Sequence, residues 1–257
     1  RPTGILHGLQ SSFHAFVGHP TFLQEIAPLP FPEQIKKLET PEIREKILNE
    51  TSMMENSPLG VSWEDLLQVV FPLGEKPNYE PTRDQSVAGI AEASNKTSFE
   101  VMYDLLVADG GKELFYQPLG AYENYDFSFF EKAIPHPDVM FGLSDGGAHC
   151  GVIADAGMPS FILSYWSRDR QRGKQMPLEL MVRKLSHDTA TAYGMEDRGL
   201  LKEGYLADIN VIDFDKLQLH RPTAEYDLPA GGRRLVQRVD GYKYTLKSGV
   251  TTFVDGE

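Results

Sequence analysis

The chain reads as an α/β protein, and three observations predict that class. Val139-Met140-Phe141-Gly142-Leu143-Ser144-Asp145 is an apolar run that stops at a carboxylate, followed by Gly146-Gly147-Ala148-His149. Such a run suits a strand buried on both faces, as in parallel α/β sheets. Upstream and downstream of it, apolar residues recur at helical spacing behind capping residues. Beyond Gly204 the pattern changes to alternation: Ala207, Ile209, Val211, then Tyr242, Tyr244, Leu246, then Thr252, Val254, which is the period of a half-buried strand.

In chain order, Gly4 to Gln10 is a short apolar, strand-like piece. Thr40 as N-cap, Pro41 at the first helical position and Glu42 in the first turn open a helix whose inner face is Ile43, Ile47 and Leu48. A second helix is predicted over 62–70, capped by Ser62. Thr82-Arg83-Asp84-Gln85 has the capping-box pattern and predicts a third through about Ala93. Ser98 opens a fourth with Val101, Leu105 and Leu106 on one face. Tyr125 to Ile134 reads as a helix stopped by Pro135-His136-Pro137, directly before the 139–145 strand. Pro177 starts another, with Leu178, Met181, Val182 and Leu185 at helical spacing, and a last helix ends at Gly194.

Composition excludes several functions. Hydrophobic residues at 41% and charged residues at 24% are those of a packed soluble domain. No apolar run approaches the ~18 residues of a membrane span. A net charge of −12 argues against nucleic acid or an anionic membrane as partner. One cysteine rules out an internal disulfide and a multi-cysteine zinc site, and fits a cytoplasmic protein.

Asp145 is the residue most suited to chemistry. Polar groups at the carboxyl end of a buried parallel strand are where barrel enzymes keep their active sites, and the two glycines let a ligand approach the backbone closely. An ordinary Asp-Gly turn is the alternative reading of the same residues.

The order of further motifs bears on that choice. Leu185-Ser186-His187-Asp188-Thr189-Ala190-Thr191-Ala192-Tyr193-Gly194 leads into Asp197-Arg198-Gly199, then Ala207-Asp208-Ile209-Asn210-Val211-Ile212-Asp213, then Asp227-Leu228-Pro229-Ala230-Gly231-Gly232-Arg233-Arg234. With Arg1-Pro2, Asn78-Tyr79-Glu80-Pro81 and Trp166-Ser167-Arg168-Asp169-Arg170 upstream, the series resembles the carboxyl-terminal half of the amidohydrolase superfamily. In particular it resembles the branch containing D-aminoacylases and N-acyl-D-amino-acid deacylases, over nearly the whole chain.

That resemblance implies an α/β architecture: the carboxyl-terminal part of a metal-dependent-hydrolase (β/α)8 barrel, plus the tail strands of a small β-sandwich. Residues 1–203 would belong to the barrel, with a helical insertion at about 30–124, and residues 204–257 to the β tail. A complete barrel takes about 250 residues by itself, so the chain is expected to be incomplete as given. The implied activity is metal-dependent hydrolysis of non-peptide C–N (amide) bonds, with an N-acyl amino acid-like small molecule as substrate. The implied cofactor is zinc, as one or two divalent ions. Asp145 would be both the catalytic proton carrier and a metal ligand: a metal-held hydroxide attacks the acyl carbon while one carboxylate takes a proton and hands it to the departing nitrogen.

His149 and Arg168 are the candidate substrate-binding residues. His149 lies just past the glycines and reaches either the substrate or Asp145, or serves as a hydrogen-bonded loop histidine. Arg168 offers a bidentate clamp for a carboxylate, against a salt bridge at the barrel rim. Cys150 reads as a bystander, since in D-aminoacylases the metal-binding cysteine belongs to the amino-terminal half. The family's His-x-His pair is absent from His7, His14, His19, His136, His149, His187 and His220, so the other metal ligands are expected outside the chain. Two alternatives stay open: another amidohydrolase, such as a deaminase or cyclic-amide hydrolase, and a non-catalytic fragment that pairs with a partner chain. Association into a homo-oligomer is also left open.

Overall fold

A computed structural model describes residues 1–54, 56–57, 59–142, 144 and 149–257. Helices and strands are mixed, as the sequence predicts. The helices are α1 (Phe31–Leu38), α2 (Pro41–Asn49), α3 (Trp63–Leu67), α4 (Val87–Ser94), α5 (Ser98–Gly111), α6 (Ser128–Ala133), α7 (Met158–Ser164), α8 (Leu178–Leu185) and α9 (His187–Ala192). The strands are β1 (Gly4–His7), β2 (Phe71–Pro72), β3 (Phe115–Pro118), β4 (Ile209–Ile212), β5 (Gln218–Leu219), β6 (Thr223–Leu228), β7 (Gly232–Val236), β8 (Val239–Asp240), β9 (Tyr242–Lys247) and β10 (Val250–Val254).

Side-chain caps set the starts of three helices. Ser62 Oγ accepts from Asp65 N at α3, and Thr97, not Ser98, caps α5 through a reciprocal box with Glu100. The helix expected from Thr82 to Ala93 is interrupted. Thr82 and Gln85 do form the box, but only around the single turn Arg83–Gln85. Ser86 then turns extended (φ −69°, ψ 160°) and caps a new helix by accepting from Gly89 N at 3.0 Å. Two N-cap signals in series break one helix into two. The helix expected from Tyr125 begins instead at Ser128, because Tyr125 sits at φ +56°, outside the helical region.

The largest departure is at the 139–145 run. Of the described residues there, Val139 to Gly142 and Ser144 form no strand; Leu143 and Asp145 lie outside the described residues. A strand persists only where a neighbour receives its backbone hydrogen bonds. Here the carbonyls of His136 and Val139 accept instead from the buried Lys184 Nζ of α8, at 2.7 and 2.6 Å. The parallel pairing that the run predicts is likewise not seen: every ladder among the described residues is antiparallel. β3 lies between β1 and β2, β9 between β10 and β4, and β5–β8 and β6–β7 are two-stranded.

Two cores hold the molecule. One gathers the helical segment around Ile26, Ile47, Leu67, Met102 and Leu106. The other packs Phe71, Tyr116, Phe127, Phe161 and Trp166 against Leu217 and Leu235 of the tail. Residues beyond 204 are therefore anchored in a shared core, through strands β5 to β8 and their connections. The outer face of β10-β9-β4 stays open, with Tyr244, Val250 and Phe253 exposed. β1 approaches β3 closely because Gly4 has no side chain: a Cβ there would lie 2.1 Å from the Tyr116 ring.

Candidate functional site

The loop that follows the glycines is pinned on three sides. His149, at φ +52°, turns the chain so that its carbonyl accepts from Val152 N (2.8 Å) and Ile153 N (3.0 Å). Cys150 O accepts from Leu235 N of β7 at 2.7 Å, and Gly151 O from Ser12 N at 2.9 Å. Val152 O accepts from Leu6 N of β1 at 2.7 Å. The loop thus ties β1, the turn after it and the tail together. The His149 side chain is exposed, and Cys150 is a half-buried free thiol. Asp145, the expected catalytic and metal-binding residue, lies outside the described residues.

Next to this loop is a buried ion pair. Arg1 Nη1 meets Asp155 Oδ1 at 2.5 Å, with both side chains 3% exposed or less. The guanidinium lies 4.4 Å from the Tyr79 ring centroid and 5.7 Å from that of Tyr116, the geometry of a cation–π contact. Burial is the largest influence on the Tyr79 and Tyr116 phenols, and it pushes both up.

Arg168 and Arg170 have different tasks. Arg168 donates from Nη1 to Phe214 O, from Nη2 to Leu217 O (2.6 Å) and Asp169 Oδ2 (2.8 Å), and from Nε to Asp169 Oδ1 (2.6 Å). It fastens the turn between β4 and β5 to the end of α7. Arg170 is buried and reaches Glu80 with Nε (3.1 Å) and Nη2 (3.0 Å). The Glu80 carboxylate also accepts from Phe127 N (2.8 Å) and Tyr165 OH (2.5 Å). Arg170 Nη1 reaches Glu131 at 2.7 Å, a bond that holds the Glu131 carboxyl below its usual range. The sequence placed Arg170 only in a charged cluster; an Arg two residues after another, at the end of a helix, carried no signal that one would turn inward.

The histidines cluster where spacing did not foretell it. His7, His14 and His19 are all buried. His7 Nε2 pairs with Gln117 Oε1 at 2.7 Å, and its ring packs on Phe13 with centroids 4.6 Å apart. Burial pushes His7 down to about 4 and His14 down to about 3, the latter also through repulsion by His7 and His19. His14 Nδ1 accepts from Phe16 N at 3.2 Å. Among the described residues, no group of three or more His, Cys, Asp or Glu side chains converges as a metal site would require. The described residues alone therefore do not build a place for the expected zinc.

A family model described as the amidohydrolase family matches residues 77–253. Three D-aminoacylase structures resemble the chain. A crystal structure of D-aminoacylase shares 20% identity at a TM-score of 0.38, covering 76% of this chain and 37% of that one. A structure reported for the binuclear metal center of D-aminoacylase shares 19% at 0.37, over 76% and 37%. A D-aminoacylase mutant with CuCl2 shares 19% at 0.37, over 73% and 35%. The chain thus spans little more than a third of those proteins, and likenesses this weak carry no weight for function. No curated protein matches it. The match over 77–253 takes in Glu80, the pinned loop, both arginines and the tail, and the chain belongs to the amidohydrolase family.

Proposed function

We propose that the protein to which this chain belongs is a metal-dependent hydrolase of non-peptide amide bonds, acting on N-acyl-D-amino acids or related small molecules. Membership of the amidohydrolase family, through residues 77–253, is the observation that carries this reading. The 149–152 loop is bonded to β1, the 11–12 turn and β7, which fixes the backbone that carries His149, a candidate substrate contact. In this reading Asp145 takes a proton from the attacking water and passes it to the departing nitrogen.

Of the two candidate substrate contacts, His149 has the exposed side chain. Arg168 directs four of its five N–H groups to the chain itself, and acts by holding the tail. Residues 1–203 form part of a barrel with 30–124 inserted, and 204–257 belong to a small sandwich. Zinc is the proposed metal, with ligands beyond the described residues, and the cytoplasm the proposed location.

The test is an amide panel with the intact protein, before and after chelation: N-acetyl-D-amino acids, their L-enantiomers and cyclic amides. Hydrolysis of the D-series, lost with chelator and restored by zinc, supports the proposal. A metal-loaded protein that cleaves none of them overturns it.

A further inference from the structure

Arg168 spends its N–H groups on the tail, so the carboxylate of an N-acyl amino acid needs another cation, and β7 supplies one. Alternation along the strand sends Arg234 to Asp227 at 2.7 Å and Arg233 to the opposite face. There Arg233 Nη2 lies 3.4 Å from Ser12 Oγ, its one side-chain hydrogen bond among the described residues. Every other arginine meets a carboxylate or donates to a backbone carbonyl. Among the described residues Arg233 does neither, although it is half-buried. Most of its five N–H donors are thus open to a ligand.

Its place is beside the loop that follows the glycines. Ser12 N donates to Gly151 O at 2.9 Å, and Leu235 N, two residues along β7, to Cys150 O at 2.7 Å. Ser12 Oγ also lies 2.5 Å from where a Cβ on Gly151 would stand. The hydroxyl therefore touches the loop on one side and Arg233 on the other. His149, two residues before Gly151, is exposed. His14 is near enough for the Arg233 charge to contribute to its fall to about 3, so it is neutral at pH 7. The guanidinium has hydrogen-bonding neighbours and, among the described residues, no counter-charge.

We propose that Arg233 is a specificity-determining residue that receives the α-carboxylate of the substrate. The guanidinium supplies two parallel N–H···O bonds, and the Ser12 hydroxyl, which accepts from Arg233, donates a third. A neutral amide in place of the carboxylate loses the charge pairing and is discriminated against. This inference rests on the hydrolase reading above.

Two probes with a sulfonyl group in place of the scissile acyl group separate binding from turnover: N-methanesulfonyl-D-phenylalanine and its neutral carboxamide. In calorimetric titration of the intact protein, the acid is expected to bind at least ~10-fold more tightly than the carboxamide, and less tightly as salt rises. Arg233→Met should weaken the acid by about 10- to 100-fold and leave the carboxamide unchanged. Arg233→Lys, which keeps the charge but not the fork, should recover part of the loss. In turnover of N-acetyl-D-phenylalanine, Arg233→Met should raise KM by a similar factor and change kcat less than about 3-fold. Equal binding of acid and carboxamide, no binding of the acid below ~10 mM, or undiminished acid binding by Arg233→Met would overturn the proposal. So would an equal loss of both probes in that variant, which is the mark of a structural role. Acid binding that depends on Arg233 in a protein that hydrolyses no amide would support the carboxylate site and overturn the hydrolase reading.

Discussion

Replacing Arg170 by Met tests the energetics of the buried centre. The substitution keeps most of the volume and removes the charge, leaving the Glu80 carboxylate, whose side chain is 0% exposed, with only Phe127 N and Tyr165 OH as donors. Removing one partner of a buried ion pair costs about 3–5 kcal/mol, because the other charge stays desolvated. The guanidinium's contact with the Trp166 ring, 4.5 Å from its centroid, is lost too. Pairing the change with Glu80→Gln removes the stranded charge while the amide oxygen can still accept from Phe127 N and the amide NH2 can donate to the Tyr165 hydroxyl. The double variant should therefore lose less than the sum of the singles, by about 1–3 kcal/mol. Urea unfolding of the four proteins gives the cycle, and hydrogen exchange at the Phe127 amide gives a local readout. An Arg170→Met cost below about 1 kcal/mol, or strict additivity, would refute the reasoning.

Other consequences are as direct. His7, held near 4 in the fold against about 6.5 unfolded, is neutral when folded, so below that value the unfolded chain binds the extra proton. Its penalty is absent above about pH 6.5, grows as pH falls and saturates at about 3 kcal/mol below the folded value; unfolding free energies from pH 7 to 4 should show a slope that His7→Gln flattens. Arg168→Ala removes the bonds to the carbonyls of Phe214 and Leu217 and should cost about 1–3 kcal/mol, with faster amide exchange confined to the tail. Gly199 has φ +85°, and a Cβ there would lie 2.9 Å from that of Ala190; Gly199→Ala should destabilise by about 1–3 kcal/mol in thermal unfolding.

How much was legible in the sequence depended on how local the determinant was. Helices opened by a proline and carrying a periodic face, such as Pro41–Asn49 and Leu178–Leu185, lie where the sequence placed them, although no side-chain cap bond forms at either start. So do the tail strands Ile209–Ile212, Tyr242–Lys247 and Val250–Val254, whose alternation is their own. Residues 139–142 misled because a strand needs a neighbour, and whether a lysine 45 residues away takes the Val139 carbonyl is a tertiary fact. Arg168 and Arg170 were equally opaque. Both are charged residues beside Trp166, and only the fold sends one to tail carbonyls and the other inward to Glu80, 90 residues earlier. The convergence of His7, His14 and His19 follows from how the chain doubles back after β1, which no spacing rule encodes. Family membership was readable because it rests on linear motifs, and the match over 77–253 contains most of them.

The most direct measurement of the central claim is the turnover of N-acetyl-D-amino acids by the intact, metal-loaded protein and by its Asp145→Asn variant. The account predicts deacylation by the wild type and a loss of at least ~100-fold in kcat in the variant, with unfolding behaviour unchanged. Turnover by Asp145→Asn close to that of the wild type would contradict it.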